Sequence, residues 1–292
     1  MTKIAIIGAQ GMLGSAVCRY LSEKKYQVLE INSSRKTQSS NLVAQFDIVN
    51  DSLEKLEKIL TDVSFVINCA GLIRHKIDEN SIESLNSLIK INSLFPIQLT
   101  TLSHKMNFKV IQIATDCVYS GQEGNYSESD IRVPNDYYGY SKALGEHIHH
   151  NLITLRCSLV GRELNSKVEF MEWVLNHGEG SVINGFTDHV WNGLTTLHFA
   201  KIVSGIIETS EFKDGTFHLV PSDSVSKFEL AKLIVENFAI SGVKIAQSKS
   251  YGAVNRILIT NYKEFNSDMW RDAGYNKPLT IAEMIKEYSL WV

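Results

Sequence analysis

The chain has 292 residues, 44% hydrophobic and 21% charged, with a formal net charge of −3. That length suits one large core with a smaller lobe appended. The charge leaves no basic footprint for nucleic acid, and no apolar run approaches the roughly 18 residues of a membrane span. In MTKIAIIGAQ the first apolar run breaks at a glycine, too short for a secretory leader, so a cytoplasmic protein is expected. Cys18, Cys69, Cys117 and Cys157 are widely spaced with no C-x-x-C pair, which argues against zinc. Cys18, Cys69 and Cys157 read as small buried hydrophobes.

From the start of the chain, KIAIIG reads as a buried strand. GMLGSAVCRYLSEKKY then sets Leu13, Val17, Tyr20 and Leu21 on one helical face. YQVLEIN and LVAQFDI follow as strands, and DSLEKLEKIL as a helix with Asp51 or Ser52 at its N-cap. SFVINCAG is a fourth strand, ahead of a helical region from about Ile82 to Met106 that Pro96 interrupts or kinks. KVIQIATDCVY and NLITLRCSLVG are the fifth and sixth strands. These runs lack period-two alternation and are separated by helices, the pattern of a parallel sheet covered on both faces.

Beyond Gly161 the rhythm loosens. KVEFMEWVLNHG reads as helix, EGSVINGFTDHVWNGLTT as irregular, LHFAKIVSGIIE as helix and GTFHLV as strand. Ser226 with Glu229, and Thr280 with Glu283, form capping boxes before two further helices. No internal repeat, low-complexity segment or linker interrupts the chain. The expected fold is α/β: a Rossmann-type doubly wound parallel sheet over residues 1–160 and a smaller C-terminal α/β substrate lobe over 161–292. Residues from about 186 to 210 are expected to return to the sheet domain.

GAQGMLG places Gly8, Gly11 and Gly14 between the first strand and the first helix. A turn without Cβ atoms lets a diphosphate approach backbone N–H groups, including those of Met12 and Leu13 at the helix start. A site preferring NAD usually ends its second strand with an acid on the ribose 2′-OH. Here Asn32 is followed by Ser33, Ser34, Arg35 and Lys36, and the nearest acid, Glu30, lies two residues early. Hydroxyls and cations suit a 2′-phosphate, so NADP(H) is the expected cofactor, with NAD(H) as the other candidate.

YYGYSKALGE holds three tyrosines near one lysine. On a helix, Tyr138 and Lys142 stand four apart and share a face, whereas Tyr137 and Tyr140 point elsewhere. A nearby ammonium is expected to lower the tyrosine below its usual value near 10 and ease proton donation.

The glycine turn, NCAG, ATDCVYSG and YGYSKALGE, in that order, resemble the extended short-chain dehydrogenase/reductase superfamily, most of all its dTDP-4-dehydrorhamnose reductase branch. The resemblance covers the first 160 residues and weakens afterwards, where GFTDHVWNGLTT only approximates that family's substrate lobe. It implies Tyr138 as general acid, Lys142 as its partner and ribose ligand, and Thr115 as the hydroxyl completing the triad. It also implies that Asp47 and Ile48 meet the adenine, that Cys69, Ala70 and Gly71 line the cofactor, and that Asn92 braces the site. The residues alone allow Asp47 to cap a turn and Asn92 to be a helix-surface amide. The reaction implied is hydride transfer from NADPH to a nucleotide-linked 4-keto-6-deoxy sugar.

Cys117, with Val118, His189, Trp191 and Asn192, is expected near the sugar. The GDP-fucose synthase relatives carry a cysteine at this T/S-x-C position and epimerise before reducing, for which His177 or His189 would be a second base. Other readings are a dinucleotide-binding regulatory subunit without turnover, and a dehydratase or 4-epimerase that retains NAD. A homodimer is common in the superfamily.

Overall fold

Alternate residues of the first strand feed opposite faces of one sheet. In the computed structural model, which describes residues 2–34, 41–164, 168–209 and 212–292, β1 (Lys3–Ile7) sends Ile4 and Ile6 into one apolar core and Ala5 and Ile7 into the other. Both cores need helices over them. The chain supplies α1 (Met12–Glu23), β2 (Gln27–Asn32), β3 (Leu42–Gln45), α2 (Leu53–Ile59) and β4 (Phe65–Asn68). Next come α3 (Ile82–Ile89), a π-helical turn at Lys90–Leu94, α4 (Phe95–Met106), β5 (Lys109–Ala114), α5 (Tyr137–Gly145) and β6 (Leu152–Arg156).

The second half adds β7 (Leu159–Val160), α6 (Phe170–Leu175), β8 (Val182–Phe186), β9 (His189–Trp191) and β10 (Leu194–Thr195). It continues with α7 (Thr196–Glu208), β11 (Gly215–His218), β12 (Val225–Ser226) and α8 (Lys227–Asn237), then β13 (Lys244–Ser248), β14 (Val254–Asn255), α9 (Lys263–Asp272) and α10 (Ile281–Trp291). Among the described residues the main sheet has seven strands in the order β11-β6-β5-β4-β1-β2-β3, every neighbouring pair parallel. This is the expected doubly wound sheet. No described helix is long and apolar enough to cross a membrane.

Several elements depart from the expectation. The fifth strand stops at Ala114, because the Thr115 side chain accepts from the Cys117 N–H and winds Asp116–Val118 into a 3-10 turn. NLITLRCSLVG divides: β6 stays in the main sheet, while β7 pairs with β10. The stretch expected to be irregular contains β8, β9 and β10. Their partners, β13 for β8 and β12 and β14 for β9, lie far along the chain. Such short strands carry no periodic signal. The return to the sheet domain also runs beyond residue 210: α7 packs on α1, and β11 adds the edge strand beside β6.

The interruption expected at Pro96 is real and placed upstream. The proline opens α4 directly after the π-helical turn in a continuous helical run, and the wider ladder of that turn accommodates a residue without an N–H.

Candidate active site

The chain leaves β1 toward β2 and leaves β4 toward β5, in opposite directions across the sheet. The carboxyl ends of these neighbours therefore open a crevice at the topological switch point, where ligands of such sheets bind. Gly8 follows β1 with φ +78°, and a Cβ there would meet the Ala70 backbone at 2.9 Å. A Cβ on Gly14 would fall 2.1 Å from the Gly8 carbonyl oxygen. The N-cap of α1 is Gly11, which offers no capping side chain, so the first N–H groups of the helix are left for a ligand. Leu13 contributes only backbone here, since its side chain belongs to the core.

Asn32, ending β2, accepts from the Gln10 N–H at 2.9 Å. Its Nδ2 is buried with no hydrogen-bond partner. A glycine cradle, free helix N–H groups and an orphaned amide together fit the diphosphate and ribose of a dinucleotide. Glu30 is buried and accepts from Asn41 at 2.8 Å. Ser33 and Ser34 are exposed, while Arg35 and Lys36 lie outside the described residues.

Cys69, Ala70 and Gly71 follow β4; the backbone of the first two lies against Gly8 and Gly71 lies by Asn92, with burial pushing the Cys69 thiol up to about 12. Asp47 caps its own turn, accepting from Val49 N–H at 2.8 Å, and lines a cleft with Asn50, Ser87 and Lys90. Ile48 packs on the core beneath it. Asn92, in the π-helical turn, is buried rather than a surface amide. Its side chain pairs with both Leu72 backbone groups at 2.9 Å and donates to Ser141 Oγ at 3.0 Å. It ties the loop after β4 to α5, and these bonds occupy its amide.

Two glycines let α5 lie against this frame. A Cβ on Gly139 would stand 2.3 Å from the Cys117 carbonyl oxygen, and one on Gly145 would stand 2.1 Å from that of Asn92. Asp136 caps the helix by accepting from the Gly139 N–H at 2.7 Å. Thr115, Tyr138 and Lys142 are thereby brought to the carboxyl end of β5, the Thr115 hydroxyl near the Tyr138 phenol and donating to Asp116 at 3.2 Å. Tyr137 and Tyr140 point outward, about half exposed.

The expected lowering of the tyrosine is corrected. Burial dominates, followed by the neighbouring Cys117, and holds the Tyr138 hydroxyl well above its usual range against the lowering effect of the nearby Thr115 hydroxyl. Lys142 directs its Nζ to the Ile113 carbonyl at 2.7 Å, and burial brings its ammonium down to about 8. The site therefore keeps its phenol protonated, the state of a proton donor.

The expected sugar contacts fare unevenly. Cys117 lies beside Thr115, partly buried, its thiol pushed up to about 12 by burial and then by Asp116. Val118 is fully buried against Tyr119 and Leu258, out of reach of a ligand. Trp191 is 5% exposed, its indole N–H on Ser158 Oγ. Asn192 uses its amide on both Leu258 backbone groups. His189 contacts Ser250 and Gly252, and His177, just past α6, contacts the Trp173 carbonyl of that helix. The polar and aromatic character of this segment serves its folding.

Residues not singled out from the sequence also reach the site. Asp116 is partly buried, and desolvation raises its carboxyl despite Arg256 and Lys227 nearby. Lys227, the first residue of α8, is lowered to about 8 by burial, against the pull of Asp116, Cys117 and Glu169. Arg256 anchors its Nε on the Tyr119 carbonyl at 3.1 Å. The capping box marked the start of α8 in the sequence, but nothing local reveals what a residue there will face. Among the described residues no cluster of His, Cys, Asp and Glu is arranged to hold a metal.

The model of one protein family, described as the RmlD substrate binding domain, matches residues 1–288. The Haloferax volcanii protein named "Probable low-salt glycan biosynthesis reductase Agl14" is 28% identical over 79% of this chain and 78% of its own. Methionine adenosyltransferase 2 subunit beta of Rattus norvegicus is 24% identical over 81% of this chain and 72% of its own. The fold is shared with the dTDP-4-dehydrorhamnose reductase of Bacillus anthracis, solved in complex with NADP: TM-score 0.79 at 21% identity, covering 100% of each chain. With a family match running from the glycine turn through the last helix, the chain belongs to the RmlD substrate-binding domain family.

Proposed function

We propose that this protein reduces a nucleotide-linked 4-keto-6-deoxy sugar with NADPH, as the reductases among its relatives suggest. The observation that carries this reading is the convergence of Thr115, Tyr138 and Lys142 at the carboxyl end of β5, beside the glycine turn. NADPH, when bound, supplies the hydride to the carbonyl carbon. Tyr138 gives its proton to the carbonyl oxygen, so ketone, hydride and proton become one alcohol. The Thr115 hydroxyl orients that oxygen and the phenol. Lys142 offsets the charge left on the phenolate and is placed to meet the cofactor ribose. Met12, Leu13 and the glycines hold the diphosphate, Asn32 with Ser33 and Ser34 meets the adenine ribose, and Asp47 with Ile48 borders the adenine. Asn92 acts as a positioning residue.

The test is oxidation of NADPH against a panel of dTDP-, UDP- and GDP-linked 4-keto-6-deoxyhexoses, with Tyr138→Phe as the control. Turnover by the wild type and a loss of 10²–10⁴-fold in the variant are expected. Tight NADPH binding without turnover on the whole panel would overturn the reductase reading. It would favour a regulatory subunit, a second reading that the likeness to methionine adenosyltransferase 2 subunit beta keeps in view. The epimerase–reductase alternative is disfavoured, because a thiol held near 12 stays protonated and is a poor base. A homodimer is part of the proposal: Leu94, Ile97 and Leu144 on adjoining helices are exposed apolar residues that a second copy would cover. Sedimentation velocity reads it out.

A further inference from the structure

Among the described residues one charged side chain at the crevice, Lys227, makes neither a hydrogen bond nor an ion pair. Lys227 opens α8, whose other contacts are with β8, β12, β13, α6 and α10 of the second half. Its Nζ stands 4.4 Å from the centre of the Phe170 ring and 5.2 Å from that of Trp191. Neither ring accepts the three N–H bonds an ammonium offers. Among the described residues no carboxylate lies within 4.0 Å of it and no oxygen accepts its hydrogen bonds. A half-buried cation at the positive end of a helix, with its nearest carboxylates, Asp116 and Glu169, beyond ion-pair distance, works against folding. Such an arrangement is typical of a site whose missing acceptor arrives with a ligand.

The neighbours of Lys227 say which part of a ligand. Asp116, Cys117 and Glu169 act electrostatically on Lys227, and the same three act on the Tyr138 hydroxyl. Phenol and ammonium therefore share one set of charged neighbours, the first carried by α5 and the second by α8. The glycine turn and its phosphate-binding groups lie around β1 and β4 instead.

We propose that Lys227 is a specificity-determining residue: it donates hydrogen bonds to hydroxyl or carbonyl oxygens of the hexose ring beside the reacting carbon. Phe170 and Trp191 hold the ammonium in place until the sugar satisfies it. This rests on the proposed reductase reading for the identity of the sugar and for Tyr138 as the donor, but not for the unpartnered lysine itself.

The experiment measures binding, so that it is independent of turnover. Protein saturated with NADP⁺ is titrated calorimetrically with dTDP-rhamnose and with dTDP alone, and with the UDP and GDP pairs. The pair bound most tightly is carried forward to Lys227→Met and Lys227→Arg. The sugar-dependent gain, the Kd ratio of nucleotide to nucleotide sugar, is expected to fall by about tenfold or more in Lys227→Met. The Kd of the nucleotide and that of NADPH should stay within about twofold, which also shows that the variant is folded. Lys227→Arg should recover part of the ratio. A nucleotide Kd that weakens by the same factor would overturn the proposal in favour of the diphosphate as the partner of Lys227. A wild-type ratio of one for every pair, or a ratio unchanged in Lys227→Met, would overturn it as well. Loss of the ratio in Lys227→Met without any wild-type turnover would support the lysine and sink only the reductase reading.

Discussion

Replacing Gly139 by alanine tests how closely α5 must lie against the turn after β5. A Cβ at this position falls 2.3 Å from the Cys117 carbonyl oxygen and 2.8 Å from Pro134 Cβ. Carbon and oxygen rest at about 3.3 Å or more, so the helix has to retreat by roughly 1 Å. The obstacle is a backbone carbonyl and cannot swing aside as a flexible side chain would. Overpacking of this kind costs about 1–3 kcal/mol, and the better helix propensity of alanine offsets about 1 kcal/mol of it. Net destabilisation of at most about 2 kcal/mol leaves the protein folded, with Tm lower by a few degrees. The rate suffers more. Tyr138, the proposed proton donor, is the adjacent residue and moves with the helix, and a 1 Å misplacement of such a group costs on the order of 10²-fold. NADPH oxidation under saturating sugar is therefore expected to fall by about that factor while NADPH binding is retained. Unchanged kcat together with unchanged Tm would refute the argument that this glycine sets the position of the phenol.

Other consequences follow from the same contacts. Glu146→Gln takes the charge from a carboxylate that is 4% exposed and grips Arg156, itself 6% exposed, at 2.7–3.0 Å. Leaving that guanidinium buried is expected to cost about 3–5 kcal/mol in urea denaturation, and a loss under about 1 kcal/mol would contradict it. Glu287 is held down to about 2 by its bond to His198 and by Lys201 and Tyr275. A carboxylate depressed in the folded state adds stability above its unfolded value of 4.5, and that stability fades as pH falls through about 2. With the side chain 35% exposed, solvent screening reduces the effect to about 1–2 kcal/mol. Glu287→Gln should thus lower stability at pH 7 and converge on the wild type near pH 2, read by urea midpoints across pH. Gly14→Ala places a Cβ 2.1 Å from the Gly8 carbonyl oxygen, so NADPH fluorescence titration should show loss of binding, and wild-type affinity would count against the cradle.

The doubly wound sheet was legible because parallel strands must be apolar on both faces, and Ile4 through Ile7, or Val66 and Ile67, can satisfy that in no half-exposed strand. The spacing of Tyr138 and Lys142 was equally readable, since four residues on a helix make neighbours whatever surrounds them. The small strands β8, β9 and β10 were not, because their partners come from far along the chain and their length leaves no period to detect. The polar and aromatic residues of that segment looked like ligand contacts, yet Trp191 and Asn192 spend their hydrogen bonds on Ser158 and Leu258.

The sequence by itself determined what local rules govern: the glycine turn, the helix caps, the strand runs and the single tyrosine able to share a face with the lysine. Only the tertiary structure decided what those groups experience. Desolvation depends on everything packed around a side chain, so the phenol of Tyr138 rises where a neighbouring ammonium alone would lower it. Lys227, 85 residues or more from Tyr138, Lys142 and Thr115 in the chain, comes to share Asp116, Cys117 and Glu169 with Tyr138 only through the folding of the second half.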